Sequence, residues 1–535
     1  MKKNRKSLLT ILLSPSVVVF VVAIIVMVVS LAFTHRIRPY NSDDVSWQNI
    51  LFTWHPFSGH RVTLGGSDTF ILKIPLFSLL AHFFSPSRKL LFLESSILAI
   101  LTFTLFYIAS LYFLVKAKIK LSYLNLLPFV WLASFGYAFD QLYLNPILRN
   151  FEIGLSFITF MLVAMVYYGS INPLRSVVSK AVTLLASITA GMLIYNDPYY
   201  LYFTVVPVAL FSAVLLLMKK VPKNSVITIY ACIFLSLIFA KLTSLIATNA
   251  GIDIVSVYPV QFVVFDKFFA NLALSLHGIL VIFGADFFGR KMVNIVTASA
   301  VVNALVVGFI FYKICQLRKE VTGGLGDKLN TGRLWTVFFG LFFVFVFTAY
   351  AFSSLAVDLN TYRYFAILVF ASVLFLAITV GSLRSGRLFV AAVLIAGIVL
   401  NLYVTVGGAQ GYVPPGVAGN RGNYVNYDII HAVGSRGLTK GYGDYWQGNI
   451  NTFLSNDAVE FLPILCSDGH TRPFHWLIDE ARFNRSAQRS FYMIDPDLPT
   501  CTPEQIITQF GEPNDTLLVT DKTILIYNYD ILSKM

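Results

Sequence analysis

Long apolar runs bounded by Lys, Arg, Pro or Asn recur through the first 406 residues and set the expected architecture. A run of about 20 apolar residues crosses a hydrocarbon core of about 30 Å as a helix, and a helix satisfies all its backbone polar groups internally. The pattern predicts eleven spans, at about 10–33, 91–115, 122–138, 152–169, 181–195, 200–218, 226–247, 292–313, 335–356, 363–381 and 388–406. Two intervening stretches read differently. In 67–89, "SDTFILKIPLFSLLAHFFSPSRK", Lys73 and Pro75 interrupt too short an apolar run, which predicts a helix lying in the membrane interface. Residues 249–290 mix apolar runs with Asp253, Asp266, His277 and Asp286, and predict outer-surface or re-entrant helices.

Basic residues fix the expected orientation. Counting 67–89 as interfacial collects Lys2, Lys3, Arg5 and Lys6, then "KAKIK", then Lys219, Lys220 and Lys223, then Arg384 and Arg387 on one side, as the positive-inside tendency requires. The amino terminus has the basic start of a secretion signal, but its apolar part is too long and no small-residue cleavage site follows, so it reads as an uncleaved anchor with its start inside. An odd number of spans then puts the carboxyl end outside.

Composition agrees and narrows the class. Of 535 residues, 57% are hydrophobic and only 13% charged, against roughly a quarter charged in a soluble domain. The net charge of +13 would suit a nucleic-acid surface, but its basic residues flank spans, so no nucleic-acid partner is expected.

The pattern changes near 407. Residues 407–426 contain the Gly/Pro-rich "GGAQGYVPPGVAGNRGN" and predict a linker between a membrane domain, 1–406, and an extracytoplasmic module, 427–535. "DTLLVT" and "TILIYNYDI" read as strands around a turn, which suggests a small α/β unit. Cys466 and Cys501, 35 residues apart on the oxidising side, predict a disulfide; Cys232 and Cys315 lie in or beside spans.

With this trace, the unusual polar residues emerge on the outer face. "RPYNSDDVSWQ" carries Asp43 and Asp44, Lys73 lies on the interfacial helix, and "NPILRNFE" holds Arg149 and Glu152. "IYNDPYY" holds Asp197, and "DLNTYRYF" holds Asp358 and Arg363. Ionisable groups at membrane depth are costly and mark function by default. Cations beside carboxylates suit a reaction in which a lipid phosphate departs while a carboxylate takes a proton from a hydroxyl or amine acceptor.

Each residue also has a simpler reading. One of Asp43 and Asp44 caps a helix starting near Val45, Asp197 serves a span-reversing turn, and Arg363 snorkels beside its tyrosines. His55, His60 and His277 lack metal-ligand spacing.

The uncleaved first span, the acidic pair after it, the helix with "LKIP", the "NDP" turn and the "YRYF" before a late span together resemble the GT-C glycosyltransferases, in the branch of protein mannosyltransferases and aminoarabinose transferases. The usual "HPP" before the interfacial helix is replaced by "GGSDTFILKIP". The resemblance implies a polytopic α-helical membrane protein of GT-C-like fold, with interfacial helices and a small C-terminal α/β extracytoplasmic domain. It implies a bacterial inner-membrane enzyme that takes a sugar from an undecaprenyl-phosphate carrier, with inversion, and places it on a cell-envelope polysaccharide or lipid. By the same resemblance Asp44 or Asp43 is the base, Lys73 and Arg363 hold the lipid phosphate with Arg149 beside them, and Asp197 is a second acid. Relatives differ in using a divalent metal, so Mg²⁺ or Mn²⁺ is one option and no cofactor the other. In the module, Tyr442, Tyr445, Trp446 and Asn449 offer sugar stacking and hydrogen bonding, against a core-and-turn role. The rivals are an O-antigen polymerase or ligase, and a lipid or glycan transporter.

Overall fold

The computed structural model describes residues 13–37, 45–46, 50, 57–59, 61–65, 73–84, 88–135, 150–171, 176–255, 260–322, 331–357, 359–383, 385–407, 424–467, 470–496 and 501–535. The membrane part runs α1 (Pro15–Ile37), β1 (Val62–Gly65), α2 (Ile74–Phe83), α3 (Arg88–Lys116), α4 (Tyr123–Ala133), α5 (Asn150–Tyr167), α6 (Val177–Asn196) and α7 (Pro198–Leu217). It continues with α8 (Lys223–Asn249), β2 (Ile252–Val255), α9 (Phe265–Ile282), α10 (Ile295–Thr322), α11 (Thr331–Ala351), a 3₁₀ turn at Leu359–Phe365, α12 (Ala366–Ser382) and α13 (Arg387–Val406). Among the described residues, ten helices are long and apolar enough to cross a membrane, so this is a multi-pass membrane protein.

Three elements bear on the pattern-based trace. Within the predicted span 122–138, the described residues form an 11-residue helix, Tyr123–Ala133, about 16 Å long; residues 136–149 lie outside the described residues. The interfacial helix is shorter than the apolar stretch suggests, because Lys73 is its N-cap and Pro75 fills its first turn. Conversely, α9 has 18 residues and enough apolar character to span, yet both its ends meet the same face. At its start Val263 N–H donates to Phe352 O (3.0 Å), just past the end of α11. At its exit Gly284 O accepts from Asn303 Nδ2 (3.2 Å), two turns into α10. With α10 and α11 antiparallel, those contacts share one side, so α9 lies across the bundle end as the outer-surface reading expects.

The two ends of the bundle differ in chemistry. At one, Lys116 Nζ sits 5.3 Å from the Tyr168 ring centroid, Trp335 Nε1 donates to Tyr168 Oη (2.7 Å), and Arg387 donates to Ser122 Oγ (2.7 Å). This basic end joins the turns that the charge pattern grouped together. Between the ends, Phe106, Phe113, Phe157, Phe160, Phe339 and Phe370 interlock as a core of edge-to-face and stacked rings. Helices α6 and α8 approach closest where a Cβ added to Gly191 would stand 2.5 Å from Phe239 Cβ and 2.7 Å from Ser236 O, the small-residue contact that lets helices in lipid pack backbone to backbone.

Towards the opposite end, Asn401 Oδ1 accepts from Ser299 Oγ (2.7 Å) and Asn303 Nδ2 (2.9 Å), and Trp131 Nε1 donates to Asn303 Oδ1 (3.0 Å). This neutral knot joins α4, α10 and α13 and is almost fully buried. Asn401→Leu removes the acceptor at its centre and is expected to cost about 1–2 kcal/mol, read as a lower midpoint of unfolding in mixed micelles; an unchanged midpoint would show the knot to be energetically idle.

The carboxyl module contains α14 (Tyr424–Gly434), β3 (Lys440–Gly443), α15 (Tyr445–Leu454), β4 (Glu460–Ser467), β5 (His470–Pro473), β6 (Ile478–Asp479), β7 (Ser490–Ile494), α16 (Pro503–Phe510), β8 (Asp515–Val519) and β9 (Lys522–Tyr527). The helix α14 begins at Tyr424, three residues inside the expected linker, whose positions 408–423 lie outside the described residues. Its sheet runs β5-β4-β3-β7-β9-β8, with β3 parallel to β4 and β7 and the predicted β8–β9 hairpin antiparallel. Alternate residues of β7 face opposite cores, Phe491 and Met493 into one and Tyr492 and Ile494 into the other, as a period of two requires. Cys466 on β4 is joined to Cys501 by a disulfide.

A second, three-stranded sheet welds the module to the membrane part. Its order is β2-β1-β6: β1 pairs in parallel with β2 and antiparallel with β6, Val62 facing Asp479 and Thr63 facing Ile478.

Candidate functional site

Four of the charged side chains singled out along the chain meet at the end of the bundle opposite the basic one. Lys73 arrives on the N-cap of α2 and is 1% exposed. Its Nζ lies 3.6 Å from Oε1 of Glu152, in the first turn of α5 and itself 3% exposed. The sequence placed Lys73 on the interfacial helix; the structure sets it at that helix's N-cap and buries it, which requires a carboxylate because an unpaired charge there is very costly.

Asp197 closes α6 and caps α7, its Oδ1 accepting from Tyr199 N–H (3.0 Å). The turn reading of this residue is therefore realised, and the capping carboxylate, 1% exposed, also lines a cleft. That cleft, about 390 Å³, is walled by Glu152, Asp197, Tyr199, Arg363, Tyr364 and Thr204 among others. Arg363 comes from the 3₁₀ turn before α12. Its Cζ lies 5.6 Å from the Tyr364 ring centroid, and among the described residues no carboxylate stands within ion-pair distance of it. Tyr199 and Tyr364 stack at 4.9 Å with planes 6° apart, so the tyrosines of "NDPYY" and "YRYF" bind the two motifs to one another. Below them, Thr204 donates to Ser156 (2.7 Å), and α7 carries a single π turn at Leu201–Val205, an irregularity that favours functional sites.

Tyr200 is shared with a second, apolar cavity of about 640 Å³ lined by Thr159, Val163, Val205, Val208 and Ile233. Its hydroxyl is bonded to Thr159 Oγ1 at 2.7 Å, at the boundary between the charged cleft and the greasy one.

Asp43, Asp44, Arg149 and Asp358 lie outside the described residues. Val45 and Ser46, directly after the acidic pair, are fully buried. The site also includes a residue to which the sequence reading gave no role, Glu152. The signal was present in "RNFEIG", a carboxylate one turn inside an apolar helix. Glu94, 0% exposed within α3, carries the same signal and was likewise passed over.

The expected sugar-contacting residues of the module are corrected. Tyr442 is fully buried in the module core and donates from Oη to the Asp530 carboxylate; burial, then that carboxylate, holds its phenol well above the ordinary range. Tyr445 is packed between the module and the membrane part, and Asn449 is 4% exposed. All three side chains are buried, one on β3 and two a turn apart on α15, so they are core rather than surface. Trp446 alone, 45% exposed, presents a ring to solvent.

No group of three or more His, Cys, Asp or Glu side chains converges among the described residues. Glu152 is paired with Lys73 and Asp197 is engaged as a cap, so the described carboxylates do not make a divalent-cation donor set.

No family model matches the chain, and no curated protein matches it. Among solved structures it is similar to the crystal structure of ArnT from Cupriavidus metallidurans bound to undecaprenyl phosphate, with 12% identity, a TM-score of 0.49, and coverage of 95% of this chain and 97% of that one.

Proposed function

We propose that the chain is a GT-C-type glycosyltransferase of the bacterial inner membrane, which moves a sugar with inversion from an undecaprenyl-phosphate carrier to an envelope polysaccharide or lipid at the outer face. The observation that supports it most is one cleft walled by Arg363, Asp197 and Glu152, the last paired with the buried Lys73, beside an apolar cavity across Tyr200. An amphipathic lipid with an anionic head needs that combination, cations where its phosphate rests and an apolar slot for its chain.

The reaction follows from those parts. The acceptor oxygen attacks the anomeric carbon from the face opposite the phosphate, the bond from that carbon to the phosphate oxygen breaks, and the pair of electrons leaves with the polyprenyl phosphate. Arg363 stabilises the charge that grows on the departing oxygen, and Lys73 is assigned the same role from its place behind Glu152 of the cleft wall. Arg149 is assigned the same role by its place beside Glu152 in sequence. Asp44 or its neighbour Asp43 takes the acceptor proton. Asp197 is fixed by its cap at the cleft wall, where it orients the sugar or the acceptor.

Charge distribution weighs against a transporter. Transport sites place ionisable groups near the midplane, whereas Lys73, Glu152, Asp197 and Arg363 gather at one end of the bundle. A polymerase or ligase would consume a diphosphate-linked oligosaccharide.

The test uses undecaprenyl phosphate itself. Native mass spectrometry should show that the purified protein retains this lipid over undecaprenol, and that Arg363→Lys weakens retention about tenfold, because lysine cannot reproduce a planar two-pronged contact. Equal retention of alcohol and phosphate would overturn the reading. Envelope glycans from cells with and without the intact gene should differ by one sugar residue; preferred retention of diphosphate-linked oligosaccharide would favour the polymerase.

A further inference from the structure

We propose that the carboxyl module is a positioning element of the catalytic site, and that Ile450 and Phe453 on α15 hold Val45, the residue after the acidic pair, against the membrane bundle. The inference rests on the transferase reading for its catalytic consequence, and on contacts alone for its structural one.

The segment from Val45 to Lys73 touches the module at three places. Val45, 0% exposed, forms one apolar cluster with Leu91 of α3 and with Ile450 and Phe453 of α15. Ile50 joins a second cluster with Val62, Leu64, Phe77 and Leu98 from the membrane part and Tyr445 and Leu477 from the module. At β1 the backbone pairs with β6, Glu480 N–H donates to Arg61 O (3.1 Å), and Thr63 Oγ1 donates to Glu480 Oε1 (2.9 Å).

Each contact is two-sided. The bundle supplies Leu91, Leu98 and β2, and the module supplies α15, Leu477 and β6, so both halves contribute to the contacts at Val45, Ile50 and β1. Asp44 is the chain neighbour of the clamped Val45, and Lys73 follows the clamped strand by eight residues. A displacement of about 1 Å at a reacting group can cost on the order of 10²-fold in rate. Holding this segment is therefore a direct contribution to turnover, a role distinct from any contact between the module and a sugar.

Ile450 and Phe453 are suited to a test because they belong to neither of the two clusters that form the module's own core. The helix that carries them is secured independently: Asp444 Oδ1 accepts from Trp446 N–H (2.7 Å), and Phe461 N–H donates to Thr452 Oγ1 (2.8 Å). In the full-length protein, Ile450→Ala with Phe453→Ala is expected to raise hydrogen exchange in peptides covering 45–65 while leaving β3, β7 and β9 protected. Turnover of the native donor should fall about 10- to 100-fold, and retention of undecaprenyl phosphate should change less than threefold, because Lys73 keeps Glu152 of the bundle. Ile450→Val with Phe453→Leu should restore most of the turnover. Leu518→Ala, on an exposed edge, serves as the neutral control. Unchanged exchange in 45–65, or raised exchange with full turnover, overturns the proposal. If the wild-type protein retains no phosphate lipid, the transferase reading falls, while the exchange result still decides whether the clamp exists.

Discussion

Asp44→Asn is expected to lower sugar transfer by about 10²- to 10⁴-fold, the range that a positioned general base supplies, while leaving the protein folded. The substitution separates the two roles open to the acidic pair. Asparagine caps a helix as well as aspartate does, so a residue that only caps the turn beginning at Val45 tolerates the change with little loss. A base does not, because the amide oxygen cannot accept and keep a proton at neutral pH. Asp43→Asn in a separate variant should then stay near wild type, or the two should exchange roles. The measurement is restoration of the missing envelope sugar in cells lacking the native gene, with thermal unfolding of each purified variant alongside. If both variants restore the glycan fully, the base lies elsewhere, and Asp197 is the next carboxylate to replace, since it already lines the cleft.

Much of the architecture was legible because apolar length and charge placement are direct consequences of the bilayer. The ends of α6, α8, α12 and α13 fall within a turn or so of where the pattern ended them, since Asn, Pro, Gly and Arg interrupt the apolar runs there. The helix α9 has the length and apolar character of a span, yet the charges Asp253, Asp266, His277 and Asp286 already mark its stretch as outer-surface or re-entrant, and its contacts at both ends with one face of the bundle agree. The network that Trp131 of α4 makes with Asn303 and Asn401 was not legible, because its members come from spans far apart in sequence.

The candidate site divides in the same way. Asp197 and Arg363 stood out because a charge beside an apolar run is costly wherever it is found, and the tyrosines after each of them proved to be what brings their turns together. The module residues Tyr442, Tyr445 and Asn449 were misread because aromatic and amide side chains suit a sugar surface and a strand-helix core equally well; burial separates the two, and burial on α15 depends on a membrane helix packed against its far side. The pairing of Lys73 with Glu152 was hidden for a related reason. These residues are far apart in sequence and belong to an interfacial helix and a span, so nothing in the periodicity of either announces the other.

That pair supplies the second large effect. Lys73→Met removes the cation 3.6 Å from a carboxylate that is itself almost excluded from solvent, and breaking one side of a buried pair typically costs about 3–5 kcal/mol. The single variant should therefore unfold at a markedly lower denaturant concentration and transfer no measurable sugar, a result that by itself could reflect folding alone. The double variant Lys73→Met with Glu152→Gln separates the causes. It takes the buried charge away with its partner, so most of the lost stability should return, as replacement of whole buried pairs by neutral groups is often close to neutral. Transfer and retention of undecaprenyl phosphate should not return with it, because the cation that faces the phosphate is still missing. Recovery of transfer together with stability would mean that Lys73 serves only to neutralise Glu152, and Arg363 would then be left as the described cation that meets the donor.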